Sequence, residues 1–397
     1  MRRYLNALFL YLNYCIHGMA IIILALHMPD LSKQWGTDAA GVSVVISSLG
    51  LGRLSVLYVA GILSDRFGRR PFVLLGGLTY ICFFLGIVNT ESLTTAYVCG
   101  FLAGCANSFL DAGTYPRLLE LFPRSPGPAV IMIKAFVSLG QGLLPFIIAW
   151  LAWSGLWFGW CFVAAAAGLA INFIVILCIS SPQAERPRRT LERKRETGTA
   201  AWLDVTCYAL FGYVGMATFQ LVSNWLAQYG ELIAGMPRDG ALRLLSFYTA
   251  GSLIGVFLSS AALRTFLKPR VMLVLCTTVS FLSLVAVTLF PTPLVVTCFA
   301  FVFGVFAAGG VLQLGLALLA AQFPEAKGRA TGIYYSAGSI ATFSIPLVTA
   351  WISRHDSVMG IFLFDAAIAF TGVLLACFIA WRSRQAELAQ KVAEQTA

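Results

Sequence analysis

"GILSDRFGRRP", residues 61–71, sets four charged side chains, Asp65, Arg66, Arg69 and Arg70, between two long apolar runs. Gly61 permits close approach of helices, Gly68 can take a left-handed turn conformation, and Pro71 suits the first turn of a following helix. Asp65 can accept hydrogen bonds from a helix N-terminus, and the three arginines can pair with acids such as Glu120. The reading is a tight charged turn between two apolar helices. About 20 apolar residues cross a bilayer as a helix, and the flanking runs, 41–63 and 72–88, approach or exceed that length.

Moving outward, the same apolar character covers the whole chain. Of 397 residues, 59% are hydrophobic and only 11% charged, with a mean hydropathy of +0.84. Soluble domains carry about 25% charged residues, so the expectation is an all-α polytopic membrane protein. Twelve spans are predicted: 5–29, 41–63, 72–88, 94–119, 129–153, 157–179, 202–230, 243–263, 271–290, 293–321, 330–352 and 358–381. Windows such as "IIILAL" and "FIVILC" are apolar on every face, which excludes the alternating strands of a transmembrane barrel.

The net charge of +10 does not mark a nucleic-acid surface. Of the 27 Lys and Arg, 21 fall on the N-terminus, the tail and the loops on that same side. Lys33, Arg238, Arg243 and Arg354 fall on the other side, and Arg53 and Lys134 within spans. This asymmetry places both termini in the cytoplasm. Nucleic-acid binding would need the charges gathered on one face. The ten cysteines form no CxxC pair, so neither metal nor disulfide framework is expected.

One long charge run, "PQAERPRRTLERKRETGTAA" (182–201), divides the chain. The expected organisation is a six-helix bundle over 1–181, a cytoplasmic linker over 182–201, and a second six-helix bundle with a short cytoplasmic tail over 202–397. At an offset of 201, "FPRSPGPAVIMIKAFVSLGQGLLPFIIAW" (122–150) aligns with "FPEAKGRATGIYYSAGSIATFSIPLVTAW" (323–351). The aligned identities include Pro123/Pro324, Gly127/Gly328, Pro145/Pro346 and Trp150/Trp351. Duplicated halves with a site near the midplane are a mark of secondary transporters.

The 61–71 stretch resembles the G-x-L-(a)-D-R-x-G-R-(K/R) motif between the second and third helices of the major facilitator superfamily. The overall pattern also resembles enterobacterial inner-membrane transporters of that fold. The resemblance covers essentially the whole chain. It implies twelve helices in two pseudo-symmetric bundles, with spans 1, 4, 7 and 10 lining a central cavity. It also implies that Gly61, Asp65, Arg66, Gly68, Arg69 and Arg70, with Glu120, form a gate latch rather than a substrate site. The matching loop "SAALRTFLKPR" (260–270) lacks the aspartate and the glycine, so a weaker latch is expected there.

Ionisable residues within spans mark candidate sites. Arg53 lies midway along the second span, Asp111 in the fourth and Lys134 in the fifth. Helical spacing puts Asn107, Asp111 and Tyr115 on one face, and Lys134, Ser138 and Gln141 on another. Asn13 and His17 line the first span, Gln220 and Asn224 the seventh, Tyr335 the eleventh, and Gln313 falls in the tenth. All of these are candidate substrate contacts. Plainer readings stand beside them: Arg53 with Asp111 as a structural ion pair, Lys134 snorkelling to the surface, and Asn13 and His17 as interhelical hydrogen-bonding groups. Asp365 in the twelfth span is read as structural.

Drug/proton antiporters of the superfamily carry an arginine four residues before a glycine in the fourth span. Counted from Gly104, that position is Gly100 here. Their G-P-x-x-G-G signature is also missing from "GQGLLPFIIAW". The Asp111–Pro116 spacing instead resembles fucose-permease-type proton symporters, which implies a proton-coupling role for Asp111. Low dielectric drives a carboxyl toward its neutral form, while a nearby guanidinium favours the charged form. A substrate engaging Arg53 would therefore favour protonation of Asp111, so that proton and substrate load together.

The expected function is uptake of a small polar metabolite, such as a sugar, a sugar acid or a shikimate- or quinate-like polyhydroxy acid. The expected energy source is the proton gradient, with no cofactor. The expected partners are the substrate and the lipid bilayer, and the chain is read as a monomer. Efflux of a metabolite or drug by proton antiport is the alternative within transport. A non-transporting receptor on the same fold is the alternative outside it. No catalytic cluster, nucleotide loop or metal-ligand spacing points to an enzyme.

Overall fold

The computed structural model describes residues 2–122, 126–178, 199–265, 267–308, 311–322 and 327–396, and these are almost entirely helical. The helices are α1 (Arg2–Leu26), α2 (Met28–Gln34), α3 (Ala39–Phe67), α4 (Arg69–Asn89), α5 (Leu93–Leu121), α6 (Pro126–Trp153) and α7 (Trp160–Cys178). There follow α8 (Thr199–Leu232), α9 (Arg238–Thr265), α10 (Pro269–Leu289), α11 (Pro293–Phe303), α12 (Val311–Gln322), α13 (Lys327–His355) and α14 (Val358–Thr396). Eleven helices are long and apolar enough to cross a membrane, and Pro293–Ala307 forms a shorter apolar helix. The linker expected over 182–201 lies largely outside the described residues, as do the side chains of 260–266 in the 260–270 stretch.

Three boundaries differ from the sequence expectation. The first span ends at Leu26, because Pro29, at the start of α2, has no N–H to extend the helix before it. The tenth span, expected to be continuous over 293–321, is instead α11, a π-helical turn at Gly304–Ala308, and α12. The short tail expected after 381 continues α14 as helix to Thr396.

Local sequence explains the starts. The Asp38 side chain accepts from Gly41 N at 2.8 Å and opens α3. Ser92 and Thr292 accept from Thr95 N and Val295 N and so cap α5 and α11 alike. These caps sit 200 residues apart, as do the starts of α4 and α10.

Lipid supplies no hydrophobic drive between helices, so small residues must let the backbones meet. A Cβ on Gly52 would strike the Phe101 carbonyl, and one on Gly104 would strike Leu49. In the second half Gly251 faces the Phe301 carbonyl and Gly304 faces Tyr248 in the same way. The α3–α5 crossing thus recurs as the crossing of α9 with α11 and its π turn. Trp150, Trp153, Trp157, Trp160 and Trp351 are exposed near one end of the bundle, Trp202 and Trp381 near the other. Such aromatic belts mark the two membrane interfaces.

Candidate functional site

At mid-membrane three helices of the first half converge on one carboxylate. The Tyr14 hydroxyl on α1 donates to Asp111 Oδ1 at 2.7 Å. A terminal nitrogen of Arg53 on α3 donates to Asp111 Oδ2 at 3.2 Å. Both partners of this ion pair are largely but not fully buried. Arg53 Nε is buried without a hydrogen-bond partner among the described residues, so the guanidinium keeps a donor in reserve. Ser108 Oγ, three residues before Asp111, donates to the Arg53 carbonyl at 2.9 Å and holds α3 against α5.

Aromatic groups surround the pair. The Tyr14 ring meets Tyr115 edge-on at 6.0 Å and His17 at 5.6 Å, and His17 Nδ1 shares a hydrogen with the Tyr80 hydroxyl at 2.5 Å. From the second half, Tyr335 on α13 lies near enough to feel the charges of Arg53 and Asp111. Lys134 reaches from α6 over the Phe219 ring on α8, 5.3 Å from its centroid.

The other sequence candidates are placed as follows. Asn107 is half-buried one turn before Asp111 on α5. Asn13 is turned to α7, where its Oδ1 accepts from Asn172 at 2.5 Å. Gln141, Gln220 and Asn224 are buried, and Gln141 Nε2 and Asn224 Oδ1 have no hydrogen-bond partner among the described residues. The side chains of Gln313 and Asp65 lie outside the described residues.

The 61–71 turn is tied to the same helix. Arg69 donates to Glu120 Oε1 at 3.3 Å, and Arg117 reaches Oε2 at 3.4 Å. Arg70 donates to the Ile176 and Leu177 carbonyls at the end of α7, a favourable place for a cation. Arg66 is exposed, its guanidinium over the Phe67 ring. Gly68 closes α3 at φ +93° and ψ 166°, a region only glycine enters freely. That is not the left-handed turn expected of it. Among the described residues no atom of another helix lies within 4 Å of a Cβ position on Gly61, so the close approach expected there is not made to any of them.

Sequence reading missed a link between this turn and Asp111. Helix α5 runs unbroken through Pro116. Proline has no N–H for the carbonyl four residues back, here that of Ala112. Ser64 Oγ donates to that carbonyl at 2.7 Å and is itself contacted by Arg69 at 3.2 Å. Tyr14 was also out of reach, since its partner lies 97 residues away; its position three residues before His17 on α1 was the only available signal.

Contacts between the halves gather at the end opposite the 61–71 turn, the periplasmic end by the charge rule. Arg354 holds Asp38 through two bonds of 3.1 and 3.3 Å. Arg238 holds Asp30 at 3.0 Å. Ser43 donates to the Pro346 carbonyl at 2.8 Å, and Ser246 to the Gly142 carbonyl at 3.1 Å. A Cβ on Gly50 would enter the backbone at Thr342 and Phe343. The molecule is closed on this side.

The Arg354 guanidinium bonded to Asp38 holds its carboxyl below the ordinary carboxylate range, although slight burial opposes this. Burial would raise Asp30, but the bond from His27 and the charge of Arg238 outweigh it, and its carboxyl is also lowered. Burial pushes His27 down despite Asp30. His27 is therefore neutral, with its Nδ1 hydrogen on Asp30.

Comparison with known proteins agrees with this architecture. The chain is 55% identical over 383 residues to the inner membrane transport protein YdiM of Escherichia coli, covering 96% of this chain and 95% of the relative. The fold superposes on the nucleoside transporter NupG with a TM-score of 0.76 and 12% identity, covering 96% of this chain and 100% of the other. It superposes on a D-xylose-proton symporter with a TM-score of 0.73 and 15% identity, covering 96% and 97%. The sequence profile of the Major Facilitator Superfamily matches residues 10–311 and 265–396. The chain belongs to that superfamily, as a multi-pass inner-membrane transporter.

Proposed function

We propose that this transporter takes up a small polar metabolite bearing a carboxylate or several hydroxyls, together with a proton carried by Asp111. The observation that supports this reading is the Tyr14–Asp111–Arg53 cluster, with Arg53 Nε unpartnered and Tyr335 of the second half close by. A guanidinium binds a carboxylate through two parallel bonds, so an anionic substrate competes with Asp111 for Arg53. Once Arg53 turns to the substrate, Asp111 loses its counter-charge in a low-dielectric setting, and the neutral acid is favoured. Tyr14 then switches from donor to acceptor. Proton and substrate leave one charge-balanced site together, and the empty cluster reforms its ion pair.

Sugar acids and shikimate- or quinate-like acids combine a carboxylate for Arg53 with hydroxyls for Asn107, Gln141 and Asn224. The D-xylose-proton symporter of the same fold is named for a polyhydroxy substrate and a coupled proton. On this reading, the Arg69–Glu120–Arg117 cluster is the latch that sets how readily the cytoplasmic ends separate.

A thermal-shift screen of sugars, sugar acids and aromatic acids on the purified protein supplies the substrate, and proteoliposomes then test coupling. Asp111→Asn is expected to keep counterflow of labelled substrate while losing accumulation driven by a proton gradient. A variant that still accumulates substrate against its gradient would overturn the role of Asp111.

A further inference from the structure

At the cytoplasmic end of its span, α14 carries two arginines with different fates. Arg382 donates to both carboxylate oxygens of Asp204 on α8, at 2.8 and 2.9 Å, and Gln322 of α12 adds a bond of 2.7 Å to the same group. Arg382 is thus committed to packing within the second half. Two residues further is a rotation of about 200° around a helix, so Arg384 faces the other way. It is exposed and makes no ion pair with a described residue.

Arg384 lines an open groove of about 780 Å³ between α10 and α14, and Arg270, in the first turn of α10, lines it too. Away from the arginines the wall is largely apolar, with Val271, Val274, Leu275 and Val279 on α10. No acidic side chain is among the lining residues. Val271, Leu275 and Trp381 are exposed, which in a membrane chain is exposure to lipid. Trp381, at the interface on this side, also lines the groove. From Arg270 to Val279 the α10 wall is about 14 Å long at 1.5 Å per residue. That is close to one leaflet of a hydrocarbon core about 30 Å thick.

We propose that this groove binds one anionic phospholipid of the cytoplasmic leaflet, its phosphate held by Arg270 and Arg384 and an acyl chain along the α10 wall. Guanidinium groups bind phosphate oxygens through paired bonds, and basic pockets between spans on the cytoplasmic side suit such headgroups. A zwitterionic lipid would bring a further cation to a site that already holds two and no anion. A small soluble anion would leave the apolar wall uncovered. The groove is formed by the second half alone, so the proposal stands or falls independently of proton symport at Asp111.

Native mass spectrometry of the full-length protein, supplied with equal amounts of phosphatidylglycerol and phosphatidylcholine, reads bound lipid as added mass. One tightly retained phosphatidylglycerol per chain is expected, with phosphatidylcholine lost first. Arg384→Gln removes a charged donor at an exposed site and should weaken the binding about tenfold or more. Arg3→Gln, exposed on the same side in the first half, should leave it unchanged. Thr278→Phe fills the groove on the α10 wall and should weaken binding with both arginines intact. Equal retention of the two lipids, unchanged binding in either groove variant, or an equal loss in Arg3→Gln would overturn the proposal. So would competition by free glycerophosphate as strong as that by lipid, which would make this a site for a soluble anion. A dimer in place of the lipid-bound monomer would assign the groove to a second copy of the chain and overturn it as well.

Discussion

Asp111 receives a hydroxyl from α1 and a guanidinium from α3, and the two contacts differ in kind. Arg53 supplies charge and can be bid away by a ligand, whereas Tyr14 supplies a neutral hydroxyl that stays with the carboxyl in either protonation state, as donor to the carboxylate and as acceptor from the acid. A hydrogen bond to a charged group contributes about 1.5–3 kcal/mol. Tyr14→Phe should therefore destabilise the native chain by about that amount and cost far less in an Asp111→Asn background, where the acceptor is uncharged. A double-mutant cycle on unfolding in detergent reads the difference; equal costs in both backgrounds would place the work of Tyr14 elsewhere. Side chains such as Asn13 show why residue identity alone does not assign roles. It sits on the same helix as Tyr14, yet its amide is turned to Asn172.

Among elements, α5 carries the most connections. Pro116 frees the Ala112 carbonyl, and Ser64 closes it from α3, with Arg69 and Glu120 on the same chain of contacts. The carboxylate at 111 and the charged turn at 61–71 are thereby joined through one hydroxyl. A buried carbonyl left unpaired costs about 1–3 kcal/mol, so Ser64→Ala should destabilise by that order. Adding Pro116→Ala restores an N–H four residues along and should recover most of the loss, measured as melting temperature of the single and double variants. Failure of the second change to recover stability would show that Ser64 acts through Arg69 instead. The existence of these helices was legible from apolar runs, and the Asp111–Pro116 spacing was visible too. The Ser64 bond was not, because it depends on how α3 and α5 cross. The π turn at Gly304–Ala308 was equally hidden, because an apolar run reads the same whether its carbonyls bond four or five residues on.

Across the whole molecule, closure of the periplasmic end rests on buried contacts such as Ser43–Pro346 and on two solvent-facing ion pairs. Exposed pairs contribute about 0.2–1 kcal/mol each, so both together change the balance between closed and open states by at most about thirtyfold. Asp38 and Asp30 have carboxyls lowered in the closed state. Their contribution is complete above the free carboxylate value of about 3.9 and is lost as pH falls through the lowered values. The distance between spin labels at Lys33→Cys and Ser357→Cys should thus be constant from pH 8 to 5 and lengthen in a fraction of molecules below about pH 4. Asp38→Asn keeps the helix cap but removes the charge, and should lengthen it at neutral pH. An unchanged distance under both conditions would assign closure to the buried contacts alone.

The sequence by itself determined that this chain lives in a membrane, which side its loops are expected to face, that a stretch of one half recurs in the other, and which ionisable groups sit where they are costly. Those properties are local or additive: apolar length, charge count, and spacing along one helix. Only the tertiary structure decided which polar groups meet: Tyr14 and Arg53 on Asp111, Ser64 on a carbonyl freed by a proline, and Asp365 buried with no hydrogen-bond partner among the described residues. Each of these depends on the crossing of helices far apart in sequence. In a solvent that offers polar groups no partners of its own, those crossings decide which charges are satisfied and which remain open for a ligand.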